Sequence, residues 1–351
     1  MKRYLILSDG MSLHTLKWAK ELKNYFDLYF ISFSSFRKEF YHLFTSDRLF
    51  EFNVDIRMSG GNYKILSQAP NIVKIIHSIN PDVINGHYVT SYGFVCALIK
   101  KYYKSNLKII LSAWGSDILV TPKKNRFYFE LTKFSLKKAD IVTSDSYFMS
   151  DEIKRISNNY SITFPFGVEF LPNVKINDKD ENLYFSNRAL AKNYNIDKVI
   201  IFFSKIFKYN SDARLIIAND GPERKELMTL CNKLGLEKNI EFVGFLSSDE
   251  QCEKYRRAQY FISIPQSDST SVSLLEAMSY GCVPIVSDLP SNREWVINNL
   301  NGFYIDDGKK NFLEWNFDSA DILKINQKII SENAMWSNNI LNFVNQVNKL
   351  I

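Results

Sequence analysis

Twice along this chain, short apolar runs alternate with amphipathic stretches of helical spacing, and a polar break separates the two series. No other feature restricts the fold as much. A strand, a crossover helix and a second strand bring the chain back parallel to itself, so the pattern builds parallel sheets covered by helices. In the first series, residues 4–7, 28–33, 83–84, 109–112 and 141–143 read as strands, with helices over 13–25, 71–79, 93–102 and 127–138. Pro81-Asp82 stops one helix and Val83-Ile84 opens a short buried strand. Residues 172–182 form the polar break and read as a linker. The second series places strands over 183–186, 214–218, 240–243, 260–264 and 283–286. A chain of 351 residues exceeds one ordinary core. The expected fold class is therefore α/β, with two doubly wound, Rossmann-like domains over 1–171 and 172–331 and a cleft between them. Residues 332–351 read as a terminal helix packing back on the first domain, with Trp315 and Trp336 as packing anchors.

Composition narrows the class. With 46% hydrophobic and 15% aromatic residues the chain can fill two cores. No apolar run approaches the roughly 20 residues that span a bilayer. The apolar start behind Lys2-Arg3 is ended by Ser8-Asp9-Gly10, too early for a signal peptide. Cys96, Cys231, Cys252 and Cys282 have neither paired nor metal-ligand spacing, which suits free thiols in a reducing cytoplasm. Charge is uneven. Residues 1–170 hold 23 basic and 15 acidic residues, a surplus of eight, while the remainder holds 21 and 23. A basic first half suits an anionic partner: nucleic acid, an anionic membrane surface or a phosphorylated lipid.

Ligands of open parallel sheets bind beyond the carboxyl ends of the strands. In the second series those ends carry chemistry. Arg188 follows the first strand, where its guanidinium can pair with a diphosphate, and Lys192 adds a second cation. Asn219-Asp220-Gly221-Pro222-Glu223-Arg224 follows the second strand, with Gly for a tight turn and Pro suited to a helix start. Val243-Gly244-Phe245 follows the third, where Gly lets the backbone approach a flat ring. After the fourth comes Ser267-Asp268-Ser269-Thr270-Ser271-Val272-Ser273-Leu274-Leu275-Glu276-Ala277-Met278. Small hydroxylated residues before an apolar helix serve as an N-cap in any protein. Here the same helix start offers an anion site. Glu276, inside the helix, is badly placed for phosphate but well placed to accept from sugar hydroxyls.

These motifs, in this order, resemble the retaining glycosyltransferases of family-4 type with the GT-B fold. The resemblance rests further on Pro165-Phe166-Gly167-Val168-Glu169, Gly281-Cys282-Val283-Pro284-Ile285-Val286 and Arg293-Glu294. In the first half it rests on Ser12–Ala19, on His87-Tyr88 with Ser91-Tyr92-Gly93, and on Trp114-Gly115-Ser116-Asp117. It covers nearly the whole chain. Asp268 stands where the family has Glu, Trp114 where many members have His, and Asp9-Gly10-Met11-Ser12 where the family has a Gly-rich loop. The resemblance implies sugar transfer, with retention, from a nucleotide-diphosphate sugar, UDP foremost. Arg188, Asp268 and His87 would be catalytic. Lys192, Gly244, Phe245, Ser269, Thr270, Ser271, Val272 and Glu276 would bind the donor, with the base near Gly244 and Phe245 and the ribose on Glu276. Gly10, His14, Trp114 and Asp117 would line the acceptor side. His42 and His77 read as lying outside the site.

Neither a metal nor a cofactor is expected, the nucleotide sugar being a substrate. Asp178-Lys179-Asp180 matches a metal-binding pattern but sits in the polar break and reads as a chance match. The acceptor is expected to be a bacterial surface glycan or its lipid-linked precursor, and no nucleic acid is expected. Lys123-Lys124-Asn125-Arg126-Phe127-Tyr128-Phe129, with Lys133, Lys137 and Lys138, interleaves cations with aromatics. It suits peripheral binding to the anionic inner face of the cytoplasmic membrane. A sugar-nucleotide epimerase of similar fold and a non-catalytic binding protein are the other readings this pattern admits.

Overall fold

The computed structural model describes residues 1–54, 63–103, 106–305 and 316–351. They divide into two compact units: Met1–Phe164 with Asn338–Ile351, and Pro165–Ser337. Trp315 lies outside the described residues.

The first unit is built on seven parallel strands: β1 (Arg3–Leu7), β2 (Asp27–Ser32), β3 (Leu49–Glu51), β4 (Val83–His87), β5 (Lys108–Ser112), β6 (Ile141–Ser144) and β7 (Ile162–Thr163). Their order across the sheet is β3-β2-β1-β4-β5-β6-β7. The central strands β1 and β4 are almost wholly buried, as strands covered on both faces must be. The order reverses between β1 and β4, so the crevice beyond their carboxyl ends is the natural ligand position. The chain's last helix returns to this unit. Phe343 packs its ring 4.8 Å from Trp18 and 5.6 Å from Phe164, and the Lys2 ammonium donates to the Ile351 carbonyl at 3.0 Å.

The second unit has six parallel strands: β8 (Asp180–Asn187), β9 (Arg214–Ala218), β10 (Ile240–Gly244), β11 (Ala258–Ser263), β12 (Val283–Ser287) and β13 (Phe303–Ile305), ordered β10-β9-β8-β11-β12-β13. The reversal falls between β8 and β11, so Arg188 and the Asp268 loop flank one crevice. The polar break is shorter than its composition suggests, because β8 already begins at Asp180. Asp180 pairs with Arg214 across to β9. Lys179 turns inward and donates to the Tyr255 and Ala258 carbonyls, each at 2.8 Å. The Asp-Lys-Asp triplet is thus a strand start and a buried tie.

Gly167 shows why one motif of the chain has its composition. Its φ is +60°, in the left-handed region, and a Cβ there would lie 2.2 Å from the Ala334 carbonyl oxygen. The close approach lets Val168 N–H donate to Ala334 O at 2.8 Å and Trp336 N–H donate to Val168 O at 2.9 Å. Trp336 is buried and stacks on Phe166, rings 6.1 Å apart and tilted by 13°. Gly167→Ala is therefore expected to destabilise the second unit by about 1–3 kcal/mol, from overpacking and left-handed strain together. A lowered denaturant midpoint with unchanged slope would show it, and a midpoint equal to wild type would contradict the packing argument.

Candidate active site

In the second unit the site is assembled at the carboxyl ends of β8, β9, β10 and β11. Arg188 follows β8 and is nearly enclosed, only 10% of its side chain being exposed. A buried cation must be paired and hydrogen-bonded, and this one is. One Nη donates to Asp268 Oδ2 at 2.6 Å; the other donates to Ser273 Oγ at 3.1 Å and to Ser271 Oγ. Its Cζ sits 4.5 Å from the centre of the Tyr194 ring. Asp268 completes the pair by accepting from the Ser269 N–H on Oδ1 at 3.1 Å. Burial pushes its carboxyl above the usual range, and the Arg188 charge opposes that. Asp268, read from sequence as contacting the sugar, thus has its carboxylate on Arg188.

The loops that carry these groups are tied to one another. Gln266 N–H donates to Asn193 O at 2.7 Å, Asn193 donates to Ser267 O at 2.9 Å, and Asn195 donates to Ile264 O at 2.9 Å. The loop after β9 joins them: Leu190 N–H donates to Asp220 O and Glu223 N–H to Leu190 O. Gly221 is required there, since a Cβ would lie 2.4 Å from the Leu190 carbonyl oxygen. Ser271 caps the helix Val272–Ser279 through the Leu274 N–H. Ser269, Thr270 and Ser271 are buried, and the Trp295 indole N–H donates to Thr270 Oγ at 3.4 Å. Lys192 is exposed and pairs with no carboxylate among the described residues.

Glu276 lies one turn into the helix and is half-buried. Its Oε2 accepts from Gln251 at 2.7 Å and from the Tyr255 hydroxyl at 3.1 Å. The same hydroxyl accepts from Asn187 at 3.2 Å, Asn187 accepts from Asn219 at 2.6 Å, and Asn219 N–H donates to Gly244 O at 2.6 Å. Burial, then the Glu276 charge, push the Tyr255 hydroxyl well above its usual pKa. A chain of polar contacts therefore runs from the helix to the end of β10. Sequence reading missed Gln251, Tyr255 and Asn187, because nothing in one-dimensional spacing joins them to Glu276. Gly244 adopts φ +72° at a bulge in β10, and Phe245 beside it is 77% exposed. An exposed aromatic beside a glycine offers a flat ring a surface to stack on.

In the first unit, Gly10 follows β1, and the chain at Ser35–Phe36 packs against it so closely that a Cβ would meet Phe36 at 2.4 Å. Gly10 is thus a packing requirement. Asp117 is fully buried and works as a bracket. Oδ2 accepts from Val89 N–H at 2.7 Å and Oδ1 from Trp114 N–H at 3.1 Å. Burial pushes its carboxyl up to about 6 against those bonds. The bracket fixes Tyr88, whose φ of +67° is uncommon for a bulky residue, at the start of a π-helical turn over Tyr88–Tyr92. Such strain concentrates where the backbone is shaped for a ligand.

His87 is also fully buried, so it offers no surface to a substrate in this structure. Its ring lies 5.1 Å from Trp18 on one side and 5.1 Å from Trp114 on the other. Neither ring nitrogen has a hydrogen-bond partner among the described residues. Exposed His14 meets Trp114 edge-on at 5.6 Å. Trp18, His87, Trp114 and His14 thus form one aromatic column. Burial, with nearby His14 adding to it, pushes the His87 imidazole down to about 3.

Residues 168–335 match the family described as glycosyl transferases group 1, and residues 3–146 match glycosyl transferase 4-like. N-acetyl-alpha-D-glucosaminyl L-malate synthase of Bacillus anthracis is 25% identical over 245 residues, spanning 63% of this chain and 60% of that protein. Alpha-monoglucosyldiacylglycerol synthase of Streptococcus pneumoniae is 26% identical over 125 residues, 36% of this chain and 27% of that one. The crystal structure of Anabaena HepE with UDP-glucose superposes with a TM-score of 0.79 at 15% identity, covering 100% of both chains.

The His87 environment predicts an acid response with a definite sign. Unfolded, His87 titrates near its ordinary value of 6.5, and folded near 3. The unfolded chain therefore binds the extra proton, and stability present above pH 6.5 is lost as pH falls toward 3. Asp117 acts oppositely, since its raised pKa makes stability fall as pH rises from about 4 to 6. His87→Phe keeps an aromatic ring in the column and removes only the first effect. Denaturation at pH 7, 6, 5 and 4 should show the variant losing less stability than wild type, by up to about 1.4 kcal/mol per pH unit. Parallel pH curves would mean that His87 titrates normally.

Proposed function

Because this chain belongs to the glycosyltransferases of family-4 type with the GT-B fold, we propose that it transfers a sugar, with retention, from a nucleotide-diphosphate donor. UDP is the foremost nucleotide. The acceptor is a bacterial surface glycan or its lipid-linked precursor. The observation that carries this reading is the nearly enclosed guanidinium of Arg188 at the mouth of the β8/β11 crevice, beside the capped start of the helix Val272–Ser279. Cleaving the donor leaves a diphosphate, and its developing charge falls where a fixed cation and a helix start can stabilise it. Glu276, held by Gln251 and Tyr255, takes the ribose hydroxyls, and the base stacks beside Gly244 and Phe245. Lys192 closes over the phosphates. The first unit supplies the acceptor side through His14 and Trp114, with Asp117 and Gly10 holding the loops that carry them and His87 backing Trp114. No step is assigned to a metal. The UDP-glucose complex of HepE supports the choice of donor, and the lipid product named for the pneumococcal relative supports a lipid-linked acceptor.

Incubation with a panel of UDP, GDP and ADP sugars should show slow donor hydrolysis with one of them, and an epimerised sugar nucleotide in its place would identify an epimerase. Arg188→Ala should lower kcat/KM by the equivalent of about 3–4 kcal/mol of transition-state stabilisation, the scale of one lost anion-stabilising donor, and Glu276→Ala should lower it through the lost ribose contacts. Silence across the panel, with no nucleotide binding in calorimetry, would defeat the assignment.

The membrane part of the proposal rests on the helix Arg126–Lys138 and the residues before it. Lys123, Lys124 and Arg126 are exposed, Phe127 is 57% exposed, and Lys124 lies 6.0 Å from the Tyr128 ring. No helix among the described residues is long and apolar enough to cross a membrane. Cations beside an exposed aromatic match an anionic headgroup layer, each contributing about 1 kcal/mol near such a surface. Co-sedimentation with vesicles should require anionic lipid, weaken with salt, and fall when Lys123, Lys124 and Arg126 become Glu. Binding indifferent to lipid charge and salt would exclude the electrostatic mechanism.

A further inference from the structure

Arg188 already has three side-chain hydrogen-bond partners without any donor. Asp268 binds it with one carboxylate oxygen at 2.6 Å while the other accepts from the Ser269 N–H at 3.1 Å. One acidic group thus bridges a guanidinium and a loop N–H just ahead of a helix start. That is the set of donors a phosphate group takes. The short Asp side chain makes the bridge possible, because one oxygen stays over the next residue's N–H while the other reaches across to Arg188. The backbone of Asp268 is held separately, its carbonyl accepting from Ser291 Oγ at 2.9 Å. The side chain can therefore leave Arg188 by rotation, with the loop staying in place.

We propose that the Asp268 carboxylate is a built-in stand-in for the donor's diphosphate, and that donor binding exchanges it for a phosphate oxygen on Arg188 and the Ser269 N–H. This rests on reading Arg188 as the diphosphate site. Two anions sharing one enclosed guanidinium repel each other, so the carboxylate gives way when the more highly charged diphosphate enters. Until then it keeps the cation neutralised and in place: Arg188 stays on Ser271, Ser273 and Tyr194 in the geometry the donor needs. Asp268 is thus a positioning residue whose cost appears in donor affinity. Like any competitor bound to the same cation, it weakens the donor by the free energy of the pair it forms there.

Calorimetric titration of UDP, and separately of inorganic pyrophosphate, into wild type and Asp268→Asn tests the exchange. Asn keeps the shape but loses the charge. The variant should bind UDP at least tenfold more tightly than wild type, with the same direction for pyrophosphate. Its melting temperature without ligand should lie below wild type, since Arg188 loses its counter-charge, and should meet the wild-type value at saturating UDP. A merely structural role for Asp268 would lower both temperatures alike. Unchanged or weaker UDP binding by a natively melting variant would overturn the exchange while leaving the donor site intact. If wild type and variant alike bind none of UDP, GDP and ADP, the donor site itself falls and the exchange with it. Should the variant fail to fold, a crystal structure of the wild-type protein with UDP decides. A diphosphate on Arg188 with Asp268 turned away supports the exchange, and a retained Arg188–Asp268 bond overturns it.

Discussion

A guanidinium with a tenth of its side-chain surface exposed cannot be left without a counter-charge, and much of the second unit is arranged around that fact. Arg188 draws Asp268, Ser271 and Ser273 from the loop and helix after β11, and Tyr194 from its own loop. Those segments can converge only because the loops after β8, β9 and β11 are tied through backbone and amide bonds. The ties in turn depend on Gly221, where no side chain fits against Leu190. One buried charge therefore explains composition at positions far apart in sequence, from the small hydroxylated residues before the helix to the glycine of the Asn-Asp-Gly-Pro turn.

The polar chain from Glu276 to Gly244 follows the same logic with neutral groups. A half-buried carboxylate needs donors, and Gln251 and Tyr255 supply them. Tyr255 is itself buried, so its hydroxyl needs a partner beyond Glu276, which Asn187 provides. Asn187 and Asn219 then carry the requirement to the bulge at Gly244. Satisfied networks of this kind hold their members in one geometry. The Glu276 carboxylate thus keeps its orientation without any ligand.

How much of this was legible in the sequence follows from what sets each feature. The long central strands were readable because burial on both faces demands continuous apolar runs, and Arg214–Ala218 and the helix Gly93–Tyr102 fall where the pattern places them. The short edge strands Leu49–Glu51, Ile162–Thr163 and Phe303–Ile305 were not, since two or three residues carry no period. The polar residues at 180–182 read as linker because a strand's first residues project past the core, where Asp180 pairs with Arg214. Arg188, Asp268 and Glu276 were visible as chemistry at strand ends. Their partners were not: the bond between Arg188 and Asp268 spans 80 positions, and Tyr255 lies on a helix whose own pattern marks it only as core.

The two units share a strand arrangement yet treat their strand ends in opposite ways. In the second unit the buried charges at the crevice, Arg188 and Asp268, are paired with each other, and the site is organised by charge. In the first, the last residue of β4 carries a neutral, fully buried imidazole in contact with two indoles. Its depressed pKa follows from that packing, because an imidazolium there would lack both solvent and a hydrogen-bond partner. The Trp114 ring contacts both His87 and exposed His14, and Asp117 fixes the Trp114 backbone. An aromatic column held by a buried carboxylate gives a surface of fixed shape and little charge. Such a surface selects by contact and stacking rather than by charge.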